Sequence, residues 1–204
     1  MRNGGNNAAR RLYEVAEGQQ GFFTTKQAKA AGYAENTHPY HVKAGNWVRE
    51  NRGIYRLGSF PQSERPDLML WSLWSRNRAE VIQGVYSHQT ALSIHDLSDV
   101  MAAKLHMTVP MNFRRNSEIP RVLVLHYADL PESDIDAAYG VRVTKPMRTI
   151  LDLLTDGEVP LGTLRQAVHE GLRRGVIRRS EIVEAKRHLR GSKHARVFLE
   201  KVAA

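Results

Sequence analysis

Residues 21–57 read GFFTTKQAKAAGYAENTHPYHVKAGNWVRENRGIYRL, and their signals run helix, tight turn, second helix, basic hairpin. That order is the plan of a winged helix-turn-helix, a device that lays its second helix in the major groove of DNA. Thr24 or Thr25 can cap a helix beginning near Lys26, because a hydroxyl accepts a bond from an otherwise unpaired backbone N–H. Lys26–Ala31 is rich in Ala, Lys and Gln, good helix formers, and Gly32 stops the run. Asn36 or Thr37 can cap the second helix. Either choice puts Pro39 in the first turn, where its missing N–H has no intrahelical partner to lose. The second helix passes through His41, Val42 and Lys43 and ends at Gly45. Strand formers Trp47, Val48, Ile54 and Tyr55 then flank Asn51-Arg52-Gly53, a hairpin turn in which Gly53 supplies the positive φ. A helix upstream, about Ala8–Glu17, carries Leu12, Val15 and Ala16 at helical spacing and would close the core beneath the reading helix.

Composition is consistent with this reading. The 204 residues carry a formal net charge of +9 and no cysteine. Disulfides and Cys-based zinc sites are therefore excluded. Charge is unevenly distributed: nine Lys/Arg against four Asp/Glu in 1–60, seven against ten in 61–140, fourteen against seven in 141–204. Two basic ends flank an acidic middle, and basic surface concentrates polyanions and releases counterions on phosphate binding. No apolar run is long enough to span a bilayer, and MRNGGNNAARR lacks the apolar stretch of a secretory signal. The expectation is a cytoplasmic protein with no membrane partner.

The stretch 58–66, GSFPQSERP, is short, polar and holds two prolines, so the domains are expected at 1–60 and 61–204. A helix over about Asp67–Arg78 carries Trp71 and Trp74, expected to pack between the domains or into the second core rather than to stack on bases. Beyond it, Gly84–Tyr86, Lys104–Val109, Arg121–His126 and Val141–Val143 read as strands. Helices are expected over His88–Leu97, capped by Ser87, and from Thr149. Others follow at about Leu161–Arg174, Ser180–Arg190 and 193–204. Asp129–Asp136 reads as an acidic connector. The fold class is α+β: an N-terminal winged helix-turn-helix followed by a mixed α/β C-terminal domain.

Three segments resemble the AbiEi-type antitoxins of abortive-infection, type IV toxin–antitoxin modules. They are TTKQAKAAGY…HVKAGNWVRENRGIYRL, then GVYSHQTALSIHDLSD with KLHMTVP, then VTKPMRTILDLL. Order and spacing match over about residues 12–185. The resemblance implies an autorepressor that binds inverted repeats in its own promoter. It further implies a cognate nucleotidyltransferase-like toxin, opposed without a stable complex, with the C-terminal domain adding antitoxic activity. No catalytic residue and no cofactor are expected.

Candidate DNA contacts follow from the parse. Asn36, Thr37, His38 and His41 sit near the start of the reading helix, where side chains reach base edges. Tyr40 and Lys43 suit phosphate. Thr25, Lys26 and Gln27 open the first helix and could offer backbone N–H groups to phosphate. Arg49, Asn51, Arg52 and Arg56 lie on the wing and would meet phosphate or the minor groove. Val42, Trp47 and Tyr55 are expected in the core. Arg165, Arg173, Arg174, Arg178, Arg179, Lys186, Arg187 and Arg190 are candidates for a second basic surface, and are also readable as a solvated helical face.

Other chemistry is weakly signalled. His38-x-x-His41 has metal-ligand spacing but lacks a third ligand. Ser87-His88 reads as a helix cap rather than a dyad, since adjacent helical residues point different ways. Arg148 and Asp152 form an i,i+4 pair suited to a structural role. Pro66-Asp67 with Glu184-Ala185-Lys186 loosely resembles a nuclease signature, split over unrelated helices, and a winged-helix-targeted nuclease is the alternative function. No apolar helix stripe is left for a dimer seam, so a monomer that pairs only on the operator is expected.

Overall fold

The structure is a computed structural model and describes residues 3–99, 102–188 and 193–203. The chain divides into two units. One comprises residues up to Gln83 with Tyr139–Val141; the other comprises Gly84–Ala138 and the residues from Arg142 onward.

The first unit is a winged helix. Its elements are α1 (Asn3–Glu17), β1 (Phe22–Thr24), α2 (Thr25–Ala31), a 3-10 turn (Glu35–Thr37), α3 (His38–Lys43), β2 (Trp47–Asn51), β3 (Ile54–Leu57) and α4 (Pro66–Trp74). Thr24 caps α2 in a full capping box: its hydroxyl accepts from the Gln27 N–H, and the Gln27 side chain accepts from the Thr24 N–H. Gly32 closes α2 at φ 109°. The turn into α3 is tighter than a simple cap, because the Thr37 hydroxyl donates to the Ala34 carbonyl rather than capping α3. The wing pairs antiparallel, Trp47 opposite Leu57 and Arg49 opposite Tyr55, with an irregularity at Glu50. Strand β1 joins the other edge of β3, giving the order β1-β3-β2. Three residues are too few to show alternation, so β1 has no signature in the sequence. Leu12, Ala16, Phe23, Ala28, Ala31 and Trp47 form the core, with Tyr33, Val42, Tyr55 and Leu57 packed around it.

The expected boundary at 60/61 is displaced. Helix α4 packs on β1 and β3 and belongs to the first unit. The proline-rich 58–66 stretch is not a free linker: the Phe60 ring lies where any side chain on Gly21 would collide, and Tyr13 lies 6.1 Å from it. Leu68, Met69, Leu73 and Trp74 are buried, so Trp74 is a core residue, but on a helix of the first unit rather than in the second core.

The second unit carries a five-stranded mixed sheet. Its strands are β4 (Val85–Tyr86), β5 (Leu105–Val109), β6 (Leu123–Tyr127), β7 (Ile135–Ala138) and β8 (Val141–Thr144), ordered β6-β5-β4-β8-β7. Its helices are α5 (His88–Ile94), α6 (Pro146–Asp156), α7 (Leu161–Arg173), α8 (Arg179–His188) and α9 (Lys193–Ala203). Their core runs from Leu92 and Leu97 through Ile150, Leu153, Leu164 and Val168 to Ile182, Phe198 and Leu199. The acidic connector is a correction, since it holds a 3-10 turn (Glu132–Asp134) and strand β7. Of the Asp side chains that mark this stretch as a loop, Asp136 sits on β7, an edge strand, where charge is tolerated and blocks further pairing.

Ser87 is a second correction. It occupies the cap position of α5 but makes no capping bond. Its oxygen accepts from the Thr108 hydroxyl at 2.8 Å and lies 3.0 Å from His88 Nδ1. Helical geometry would point the two side chains apart, but His88 has φ 51°, outside the helical region. Thr90 accepts from the His106 N–H at 2.7 Å. The Arg148 guanidinium donates to Asp152 and to Asp134, each at 2.8 Å, tying α6 to the 3-10 turn before β7. That bears out a structural role for the Arg148–Asp152 pair.

Candidate nucleic-acid interface

The reading surface is built around one side chain. Trp47, at the start of β2, is almost fully buried. Phe23 and Tyr33 meet it edge-on at 4.9 Å, and His41 stacks on it at 4.6 Å. This aromatic nest fixes the roll of α3 about its own axis. The roll decides which of the expected contacts face outward.

Asn36 and Lys43 are exposed, and Tyr40 is 68% exposed. Thr37 and His41 are half-buried, and His41 Nδ1 lies 3.4 Å from the Asn46 side chain. His38 is the correction. It is 3% exposed and packs on Trp47 and Tyr55, and its Nε2 is buried with no hydrogen-bond partner among the described residues. Burial lowers the His38 pKa, as do the nearby His41 and Lys29; Glu35 pulls the other way. His38 is thus an apolar-like core ring and not a base reader. The sequence hid this because the 3-10 turn advances the helix start and rotates His38 inward.

On the wing, Arg49 and Arg52 are exposed and have no ion-pair partner among the described residues. Asn51 accepts from the Arg52 N–H at 2.6 Å and so shapes the tip. The tip is also anchored: the Thr25 N–H donates to the Gly53 carbonyl at 3.0 Å, locking the wing to the start of α2. Arg56 is a further correction. Its side chain is only 13% exposed and donates to Glu50 at 2.8 Å, so its charge is locally cancelled. Register explains this, since Arg56 pairs with Val48 and Phe22 and lies on the sheet face opposite its neighbour Tyr55.

The start of α2 offers less than expected. The Thr25 N–H goes to Gly53 and the Gln27 N–H to Thr24. The Lys26 ammonium donates to the Arg78 carbonyl and lies 3.6 Å from Glu80. Capping and packing spend these groups inside the unit.

The second basic surface is diluted by acids. Arg173 forms a two-pronged pair with Glu170. Arg174 donates to the carbonyls of His95 and Asp96. A cleft of about 380 Å³ beside Arg173 is lined by Asp96, Asp99, Gln166, His169 and Glu170 among others. Arg165, Arg178, Arg179 and Arg187 are exposed and Lys186 is half-buried, whereas Arg190 lies outside the described residues. No described helix is long and apolar enough to cross a membrane.

No protein of curated function matches the chain by sequence. The crystal structure of the RV2827C protein from Mycobacterium tuberculosis superposes with a TM-score of 0.61. It covers 97% of this chain and 77% of that one at 13% identity, a likeness of fold alone. Residues 10–58, which span α1 to the end of the wing, match the family described as "Transcriptional regulator, AbiEi antitoxin". Over this segment, a quarter of the chain, the sequence is similar to the AbiEi family of antitoxin transcriptional regulators.

Proposed function

We infer that this protein is the DNA-binding antitoxin of a type IV toxin–antitoxin module and represses its own operon by binding inverted repeats. The reading rests on the exposed outer face of α3 standing beside a wing whose Arg49 and Arg52 carry uncancelled charge. Asn36, Thr37 and the outer edge of His41 would meet base edges, while Tyr40, Lys43, Arg49 and Arg52 would meet phosphate. The protein acts by binding rather than by catalysis. The C-terminal unit contributes to opposing a nucleotidyltransferase-like toxin, without a lasting complex with it.

The test is a gel-shift series on the promoter upstream of its own gene. Arg52→Ala is expected to weaken binding to every duplex, and Asn36→Ala to narrow the gap between operator and unrelated DNA. Equal affinity of the wild type for operator and bulk DNA at moderate salt would refute the repressor reading.

A further inference from the structure

The second unit holds a histidine cluster that DNA binding does not use. The His88 and His126 rings stack face to face, 3.5 Å apart and within 10° of parallel. His106 Nδ1 lies 3.0 Å from His126 Nε2. Ser87 Oγ lies 3.0 Å from His88 Nδ1. Each of the two stacked rings therefore has one nitrogen held by a neighbour, which leaves His88 Nε2 and His126 Nδ1 for a ligand. One nitrogen from each of these rings and a carboxylate oxygen of Asp156 lie within 4.8 Å of one another. One helical turn earlier, Asp152 Oδ2 is buried without a hydrogen-bond partner among the described residues.

We propose that His88, His126 and Asp156 form a binding site for a first-row transition-metal dication of the zinc class. Two imidazoles and one carboxylate suit zinc, cobalt or nickel, whereas magnesium and calcium favour all-oxygen sets. The Ser87 contact does for His88 what an outer partner does for a metal-bound histidine, fixing tautomer and ring orientation. A tetrahedral ion with bonds of about 2.0–2.1 Å sets its donors about 3.4 Å apart. Reaching that spacing requires His126 to tilt out of the stack and Asp156 to turn inward. Both have room, as His126 is half-buried and Asp156 is exposed at the last residue of α6. The nearby Arg148 cation is offset by its bonds to Asp134 and Asp152. A bound ion would clamp the start of α5, strand β6 and the end of α6 together.

The test is titration of Zn²⁺ into the tag-free full chain, by calorimetry and by thermal unfolding. One ion per chain is expected, with a rise of about 5–10 °C in midpoint at a hundredfold excess over Kd. Asp156→Ala and His126→Gln are each expected to weaken binding at least tenfold. Circular dichroism checks that both still fold, and both substitutions lie at the solvent side of the cluster. Co²⁺ should give visible absorption bands of a low-coordinate site in the wild type, and lose them in both variants. The proposal is overturned if the wild type takes up no zinc, if both variants bind as tightly as it does, if loss appears only with His41→Ala, or if Mg²⁺ displaces zinc at equal concentration.

Discussion

Salt dependence should distinguish wing cations with no carboxylate partner from the one already paired within the chain. In the winged-helix unit, Lys43, Arg49 and Arg52 are exposed and without a carboxylate partner among the described residues, while Arg56 is paired to Glu50 at 2.8 Å. Each phosphate neutralised contributes about −0.9 to the slope of log affinity against log salt. Three contacts give about −2.7 per bound copy, so doubling the salt should lower affinity about sixfold. Replacing Arg49 and Arg52 together by Ala should leave a slope of about −0.9 and a roughly twofold loss per doubling. Arg56→Ala should leave the slope nearly unchanged, because Glu50 already cancels that charge. The assay is fluorescence anisotropy with a labelled operator duplex between about 50 and 200 mM salt, where counterion release sets the slope. The reasoning fails if the double variant keeps the wild-type slope, or if Arg56→Ala reduces it as much as Arg52→Ala does.

Three further outcomes follow. Trp47→Ala removes the ring on which Phe23, Tyr33, His38 and His41 converge, and should cost about 3–5 kcal/mol in the winged-helix unit, read by denaturant unfolding. His38 has a pKa held below the ordinary 6.5 by burial, so the unfolded chain binds the proton more readily. Stability of this unit should therefore be complete above pH 6.5 and fall as pH drops below it, and His38→Phe should flatten that part of the profile in a melting-temperature series. Arg148→Ala breaks both 2.8 Å bonds and leaves the largely buried Asp152 carboxylate unpaired, at a cost of about 2–4 kcal/mol in the C-terminal unit by chemical denaturation.

Local signals in residues 21–57 determined the winged helix. Capping chemistry at Thr24, the stop at Gly32, Pro39 in a first turn and the Asn51-Arg52-Gly53 tip each act within a few residues, so sequence alone locates them. The same holds for the Arg148–Asp152 pair, one helical turn apart. Tertiary packing decided what depends on distant neighbours. The inward roll of His38 follows from its packing on Trp47 and Tyr55, and the silencing of Arg56 from strand register. Helix α4 joins the first unit because its apolar sides find β1 and β3, which no linker pattern reveals. The histidine cluster draws on residues 88, 106 and 126, and only the pairing of β5 with β6 and the positive φ of His88 bring those rings together. Short-range order is written in propensity and capping, whereas the outward or inward facing of a side chain is fixed by what packs against it.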